Sequence, residues 1–117
     1  MSVRERDIEA WIKSRIEDMG GLYLKFVSPG NAGVPDRIAI LPDGRLVFIE
    51  LKTDNGRLSR IQRYQLNRLV KMDQQVAVVM GFGGAKQFIQ DMKQFSVSSC
   101  IYYDDGAVLM KELLYGI

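Results

Sequence analysis

The 117-residue sequence contains no histidine and only one cysteine, Cys100. The absence of histidine excludes Ser-His-Asp and Cys-His nucleophilic systems, histidine general bases and histidine-ligated zinc or iron. A single cysteine cannot form an internal disulfide or a zinc cluster. Any chemistry must therefore depend on carboxylates, lysine, hydroxyl groups or a hard metal ion.

Long apolar runs are also missing, since no stretch approaches the roughly 20 residues that a membrane-spanning helix needs. The first ten residues are charged where a signal peptide would carry its apolar segment. Three prolines and eleven glycines are too few for a fibrous or disordered chain, and 47% apolar residues can supply one core. We therefore expect one soluble, cytoplasmic domain over residues 1–117, with no membrane partner.

Basic residues are concentrated in the middle of the sequence. Between Lys25 and Lys71 the basic side chains outnumber the acidic ones by nine to four, although the whole chain carries a net charge of only +2. A basic segment on a nearly neutral chain suits a polyanionic partner such as a nucleic acid. A solvated helix face with its usual lysines and arginines explains the charge equally well.

The hydrophobic pattern predicts an α/β domain. Apolar residues at helical spacing predict helices over residues 4–19, 59–72 and 85–95. Apolar runs predict strands over residues 22–27, 36–41, 45–51, 76–80 and 100–103, whereas the segment from Ala107 is ambiguous between strand and helix. Residues 28–35 and 81–84 are predicted to be glycine-rich loops. The order of these elements favours a mixed central β-sheet flanked by helices.

Two of the predicted strands are joined by a Pro-Asp-Gly turn signal and form a hairpin that is apolar on both faces, as for strands in the middle of a covered sheet. If Leu41 lies opposite Arg45, then Asp36 lies opposite Glu50, with their Cβ atoms about 4.5–5.5 Å apart. Lys52 follows on the same face. A bulge in the turn would shift this register by one residue. Two carboxylates and an ammonium group are thus expected at the open end of the hairpin.

Two acids held side by side repel each other, and one is pushed toward its protonated form unless a cation lies between them. Mg²⁺ is the natural cation, because it is often held by one or two carboxylates together with water and phosphate oxygens. The metal would polarise a phosphoryl oxygen, and Lys52 would orient the attacking water. A simple salt bridge at the strand end is the alternative. The apolar surroundings and the open loop before Asp36 favour a site that cleaves phosphodiesters without histidine.

These residues resemble a known nuclease core. Asp36 within GVPDR, followed after a hairpin by Glu50 and Lys52 within FIELK, is similar to the PD-(D/E)xK nucleases. A narrower resemblance is to the virus-type replication-repair nuclease (VRR-NUC) domain, above all to its stand-alone phage and bacterial members. It is carried by residues 20–37 and by the later Leu58-Ser59 pair with Gln62. The resemblance covers about residues 4–80.

The resemblance implies a restriction-endonuclease-like core and a DNA endonuclease that depends on Mg²⁺ or Mn²⁺. Small stand-alone members resemble Holliday-junction resolvases, which act as homodimers on branched DNA. In this family pattern, Asp36, Glu50 and the Leu51 carbonyl would be the metal ligands and Lys52 the catalytic lysine. Gln62 would be a supporting residue on the following helix.

A glutamate on the first helix completes such sites, and both Glu5 and Glu9 fit. On a helical wheel, Glu5 falls inside the apolar arc and Glu9 lies just beyond its edge. An acid in a core-facing arc is explained by a metal site, although an acid in the first turn also favours the helix dipole. We therefore favour Glu5 and retain Glu9. Gln62 has two interpretations as well, because Ser59-x-x-Gln62 also fits a capping box.

Further residues are candidates for DNA contact, since phosphate contacts set affinity and position without reading sequence. These candidates are Lys25, Ser28, Arg37, Arg57, Arg60 and Arg63. Taken singly, each charged one is an ordinary surface residue, and Ser28 is an ordinary turn serine. Five aromatic residues are assigned to the core rather than to base stacking: Trp11, Phe26, Phe48, Tyr64 and Phe82.

The sequence thus favours a metal-dependent, structure-selective DNA endonuclease that acts on branched DNA such as Holliday junctions. The glycines of residues 81–84 match neither a P-loop nor a dinucleotide fingerprint, so no nucleotide cofactor is expected. One alternative is a non-catalytic DNA-binding module on the same fold, against which the intact set of Asp36, Glu50 and Lys52 argues. Another is an α/β interaction protein whose charges happen to align.

Overall fold

The computed structural model describes residues 4–54, 56–94, 100–104 and 107–110, the last two ranges by their backbone alone. The elements of these ranges follow in the order α1 (Glu5–Asp18), β1 (Leu22–Lys25), β2 (Arg37–Ile40), β3 (Leu46–Lys52), α2 (Arg60–Lys71), β4 (Gln75–Met80), α3 (Gly81–Met92), β5 (Cys100–Asp104) and β6 (Ala107–Met110). Among the residues described, none of the helices has the length and apolar character needed to span a membrane.

The strands form one mixed sheet, as the sequence predicts, in the order β1–β2–β3–β4–β5–β6. The first three strands are antiparallel neighbours, β3, β4 and β5 are parallel, and β6 returns antiparallel to β5. Parallel neighbours need crossover connections, which α2 and α3 supply. Of the segment from Ala107 that is ambiguous in sequence, the described part, Ala107–Met110, is a strand.

Helices α1 and α3 cover one face of the sheet. On α1, Ile8, Ile12 and Ile16 recur every four residues, which places them on one side of the helix, and all three are buried. They belong to a core cluster with alternate residues of the hairpin, namely Ala39, Leu41, Val47, Ile49 and Leu51. Burial of each isoleucine contributes about 1.5–3 kcal/mol, so this seam fixes α1 against the hairpin.

Helix α2 covers part of the other face, where Leu66 and Val70 pack against β4 and Phe48. The expectation that the hairpin is buried on both faces is therefore only half right. Ile38 and Ile40 are half-buried, and their register partners Leu24 and Leu22 in β1 are 41% and 55% exposed. The reason is that α2 packs mainly on β4, so the β1–β2 end of this face stays open.

Two sequence expectations about local structure are wrong. The predicted glycine loop over residues 81–84 is the first turn of α3. Each glycine disfavours a helix by about 1 kcal/mol, but the packing of this turn outweighs that cost: Phe82 lies against Trp11, with ring centroids 5.0 Å apart. Tyr64 was expected in the core, yet it is 51% exposed on α2.

Candidate active site

The β2–β3 hairpin has the register that the sequence predicts. Arg37–Ile40 pair with Leu46–Ile49, and the Leu41 amide donates a hydrogen bond to the Arg45 carbonyl at 2.8 Å. Asp36 directly precedes β2, and the same register continued by one residue places it opposite Glu50. Antiparallel partners share a face, so both acids project from the α2 side at the open end of the hairpin.

Glu50 is the buried acid of this pair, with 8% of its surface exposed. Burial raises the pKa of Glu50 to about 7; the Lys52 ammonium opposes this shift, whereas the negative charges of Asp36 and Glu5 add to it. Within the described ranges, no hydrogen bond or ion pair reaches the Glu50 carboxylate. A buried carboxylate without a partner is costly, and a bound cation would remove that cost.

Asp36 and Lys52 lie at the more open edge of the site. The Asp36 side chain is 64% exposed and forms an ion pair with Nη1 of Arg37 at 3.3 Å. Lys52 ends β3 half-buried, and a Cβ atom at Gly56 would lie only 3.0 Å from the Cβ atom of Lys52. A glycine at this position therefore lets the following loop pack closely against the lysine.

The loop that leads into Asp36 is held against α2. At Gly33, φ is +86°, and a Cβ atom there would lie 2.8 Å from the Ile61 carbonyl oxygen, so only glycine fits without a shift. Nearby, Nε2 of the buried Gln65 donates a hydrogen bond to the Ala32 carbonyl at 3.0 Å. Sequence analysis assigned no role to Gln65, although a polar residue beside Leu66 in the apolar arc of α2 was the available signal.

Helix α1 places the two candidate glutamates in different roles. Glu9 is half-buried and accepts a hydrogen bond from Nε of Arg37 at 2.6 Å, which ties α1 to β2. Burial disfavours the charged guanidinium, but this hydrogen bond and the charge of Asp36 together raise the pKa of Arg37. Glu5 lies in the first turn on the same side of α1 as Ile8 and Ile12, as the helical wheel predicts, but unlike them it is exposed. Its charge nevertheless reaches Glu50.

Gln62 forms the capping box that was one of its two interpretations. Oγ of Ser59 accepts a hydrogen bond from the Gln62 amide at 3.2 Å, and Oε1 of Gln62 accepts one from the Ser59 amide at 2.8 Å. The Nε2 group of Gln62 has no partner among the described residues. Support of the site by that group stays a prediction that the capping geometry permits.

The candidate DNA-binding residues fall into two groups. Lys25 and three α2-side arginines form no ion pair within the described ranges; these arginines are Arg57, Arg60 and Arg63. Arg37, by contrast, is only 19% exposed at its side chain and is bound to Glu9 and Asp36. Ser28 accepts a hydrogen bond from Nδ2 of Asn31 at 3.0 Å, as a turn serine does. Contact of each with DNA stays a prediction.

The donor set suits a hard divalent cation that is not fully enclosed by protein. Across the described ranges, no three or more Asp, Glu, His or Cys side chains come together as a metal-binding group. The site offers instead the carboxylates of Asp36 and Glu50 and the backbone carbonyl of Leu51. Mg²⁺ commonly keeps several waters and uses one or two carboxylates plus substrate phosphates. The residues therefore fit Mg²⁺ or Mn²⁺ completed by water and substrate.

Comparisons with known proteins identify the family of this chain. No protein-family model matches the chain. Over 77 residues it is 39% identical to "Putative nuclease p44" of Acyrthosiphon pisum secondary endosymbiont phage 1. The aligned region covers 66% of this chain and 83% of the phage protein. A solved structure titled "VRR_NUC domain" superposes with a TM-score of 0.69 at 32% identity, covering 74% of this chain and 94% of that one.

The structural match confirms the α/β, restriction-endonuclease-like fold, and its aligned region takes in nearly the whole of the solved domain. The phage relative is matched over most of its own length as well. A sequence relative and a solved structure, each more than 30% identical to this chain, thus agree with the family resemblance seen in the sequence. The chain belongs to the VRR-NUC family of nucleases.

Proposed function

We propose that this nuclease is a PD-(D/E)xK-type DNA endonuclease that hydrolyses phosphodiester bonds with Mg²⁺ or Mn²⁺. The observation that carries the proposal is the hairpin register: it sets Asp36 opposite a buried, partnerless Glu50, with Lys52 on the same face. A strand-end salt bridge, the plain alternative, would need Lys52 within 4 Å of an acid. Among the described residues, Lys52 forms no such ion pair.

Each residue has a separate task in the reaction. Asp36, Glu50 and the Leu51 carbonyl would hold the cation, which supplies Lewis-acid polarisation of a phosphoryl oxygen when bound. Lys52 orients the attacking water and offsets the negative charge that develops on the phosphate. The low exposure of Glu50 strengthens these interactions, because electrostatic effects are larger where water is excluded.

Basic side chains near the site would position the DNA. Arg57 is exposed in the loop between Lys52 and α2, Arg60 is exposed at the first residue of α2, and Arg63 follows one turn later. Such residues contact phosphates without reading bases, so they are suited to an enzyme that selects DNA by shape. The proposed substrate is accordingly branched DNA, such as a flap or a four-way junction.

We also propose that the active form is a homodimer. A two-fold symmetric junction cut on opposing strands requires two active sites related by the same symmetry. The exposed Leu22 and Leu24 of β1 offer apolar surface that a second copy would bury. Sedimentation equilibrium measures this state directly: a dimer mass supports the proposal, whereas a monomer that cuts both strands of a junction contradicts it.

A cleavage assay on matched DNA substrates tests the proposed activity. The protein is incubated with a linear duplex, a flap and a four-way junction of the same sequence, in Mg²⁺, in Mn²⁺ and in EDTA. We expect cleavage with either cation, faster on the branched substrates, and none in EDTA. Binding without cleavage in both cations would favour the non-catalytic module, and equal cleavage in EDTA would contradict metal dependence.

The two glutamates of α1 are expected to respond differently to the same change. Glu9→Gln weakens the partly buried bond to Arg37, so the free energy of unfolding should fall by about 1–2 kcal/mol while cleavage by the folded protein is kept. Glu5→Gln removes the exposed carboxylate proposed to complete the site, so stability should stay unchanged while cleavage slows. Thermal denaturation and single-turnover cleavage measure both. The reverse pattern would assign Glu9, not Glu5, to the site.

A further inference from the structure

A groove of about 360 Å³ opens on the α2 face of the sheet beside the candidate active site. Its floor is formed by Phe26 and Phe48, whose rings meet edge to face with centroids 5.8 Å apart. The loop over residues 28–34 forms one wall, and the second half of α2 forms the other. Both rings are half-buried rather than enclosed in the core, so they remain available to a ligand.

The groove lies next to the candidate metal ligands on the same face of the sheet. Phe48 precedes Glu50 by two residues on the same face of β3, which corresponds to about 7 Å along a strand. The Phe26 amide donates a hydrogen bond to the Asp36 carbonyl at 2.8 Å, so the second ring is fixed beside the second acid. A ligand in the groove would therefore lie next to a phosphate held at the site.

The lining of the groove combines apolar and cationic groups. Of the described residues that line it, none is acidic, and Arg68 and Lys71 stand at its rim. Arg68 is fixed in place, because its Nη1 donates to Oε1 of Gln65 at 3.1 Å and its guanidinium lies 5.6 Å from the Tyr64 ring centroid. An aromatic floor beneath a positive rim complements a nucleobase that carries its phosphate.

The size of the groove limits what it can accept. Ligand sites range over roughly 300–1,000 Å³, and this groove lies at the small end of that range. A single nucleobase fits in this volume between the loop and α2. A base that is still paired in a duplex cannot enter without leaving its partner.

We infer that this groove binds the base of one unpaired nucleotide next to the phosphate that is cut, an inference that rests on the proposed DNA cleavage. The unpaired base stacks on the face of one phenylalanine ring and meets the edge of the other, while Arg68 and Lys71 contact the adjoining phosphates. The groove thereby gives the enzyme its preference for branch points, since these supply unpaired nucleotides that a continuous duplex lacks.

The test compares DNA with and without the base, each bound to the wild-type protein and to variants with an altered groove. A duplex with a single-stranded flap is prepared with a base-free (abasic) nucleotide at each position around the cut in turn. The full-length protein, its Phe26→Leu variant and its Lys71→Gln variant are compared by binding in EDTA and by single-turnover cleavage in Mg²⁺. Lys13→Gln is the matched control, because Lys13 is an exposed lysine on α1, which packs on the opposite face of the sheet.

For the wild-type protein and the Lys13→Gln control, we expect loss of the base at one position to weaken binding by about 5- to 150-fold, the range of a base–aromatic stack. Phe26→Leu should weaken binding of the intact flap and lose less on removal of that base, because it has already lost part of the stack. Lys71→Gln should weaken binding of the intact and the base-free flap by the same factor, because Lys71 contacts phosphate. Thermal denaturation checks that Phe26→Leu is folded, and the exposed Lys71→Gln gives a second variant outside the core.

Three results would overturn the inference. The first is an equal loss on base removal in the wild type and in Phe26→Leu, and the second is that removal of the base weakens binding at no position. The third is a change of Phe26→Leu or Lys71→Gln from dimer to monomer in sedimentation, which would place a second copy in the groove. In each case the wild-type enzyme would still cut the flap. A wild-type protein that cuts no DNA would instead refute the proposed function.

Discussion

Lys52→Ala is expected to slow single-turnover cleavage by about 10²–10⁴-fold, the range for loss of one positioned catalytic group. Lys52 is half-buried, and among the described lysines and arginines it is the one whose charge lowers the pKa of Glu50. The truncation therefore removes the ammonium group that we propose orients the attacking water and offsets the negative charge on the phosphate. The fold and most DNA binding should be retained, because the residue ends a strand and other cations contact the phosphates.

The matched control for this prediction is Lys13→Ala, which makes the same substitution at an exposed position of α1. It should cleave at the wild-type rate. Cleavage is measured with enzyme in excess over a labelled flap, and binding with the same DNA in EDTA. A Lys52→Ala protein that cuts at the wild-type rate would show that this lysine has no catalytic role.

Asp36→Asn and Glu50→Gln are each expected to abolish measurable cleavage, because each neutralises one of the two carboxylates proposed to hold the cation. Their effects on stability should differ. Asp36 is mostly exposed, so its replacement should leave the thermal midpoint unchanged. Glu50 is buried without a partner among the described residues, so its replacement should raise the free energy of unfolding of the metal-free protein.

The stability that Glu50→Gln gains should depend on pH, because the pKa of Glu50 is raised to about 7. Because folding raises the pKa of this acid, its charged form lowers the free energy of unfolding. This cost is complete when the pH lies above the raised pKa, and it disappears as the pH falls to the ordinary pKa of a glutamate. Glu50→Gln should therefore stabilise the protein by about 1–2 kcal/mol at pH 8 and by less at pH 5. Denaturant unfolding without divalent cations measures both values. Equal or lower stability than the wild type at pH 8 would contradict the burial argument.

The hairpin register was predictable from the sequence because it is set locally. A Pro-Asp-Gly turn and two alternating apolar runs leave one way to place Ala39 and Val47 in the core, and the structure has that register. The start of α2 was predictable for the same reason, because Ser59 and Gln62 form a capping box within four residues. Signals of this kind need no knowledge of the rest of the fold.

The features that sequence analysis missed depend on contacts between distant segments. Which α1 glutamate approaches Glu50 depends on how α1 lies on the sheet, and the bond between Glu9 and Arg37 joins residues 28 apart. The groove depends on Gln65, which holds a loop residue 33 positions away. The first turn of α3 is helical because Phe82 packs on Trp11, against the preference of its glycines. Residue patterns carry no information about these distances.

The central claim is that Asp36 and Glu50 share one hard cation across the hairpin. The most direct measurement is the anomalous X-ray scattering of Mn²⁺ in crystals of the protein grown with that ion. We predict one peak at about 2.0–2.3 Å from a carboxylate oxygen of each acid and from the Leu51 carbonyl, and no peak in Glu50→Gln crystals. A Mn²⁺ ion bound elsewhere, or the two carboxylates found on opposite faces of the sheet, would contradict the claim.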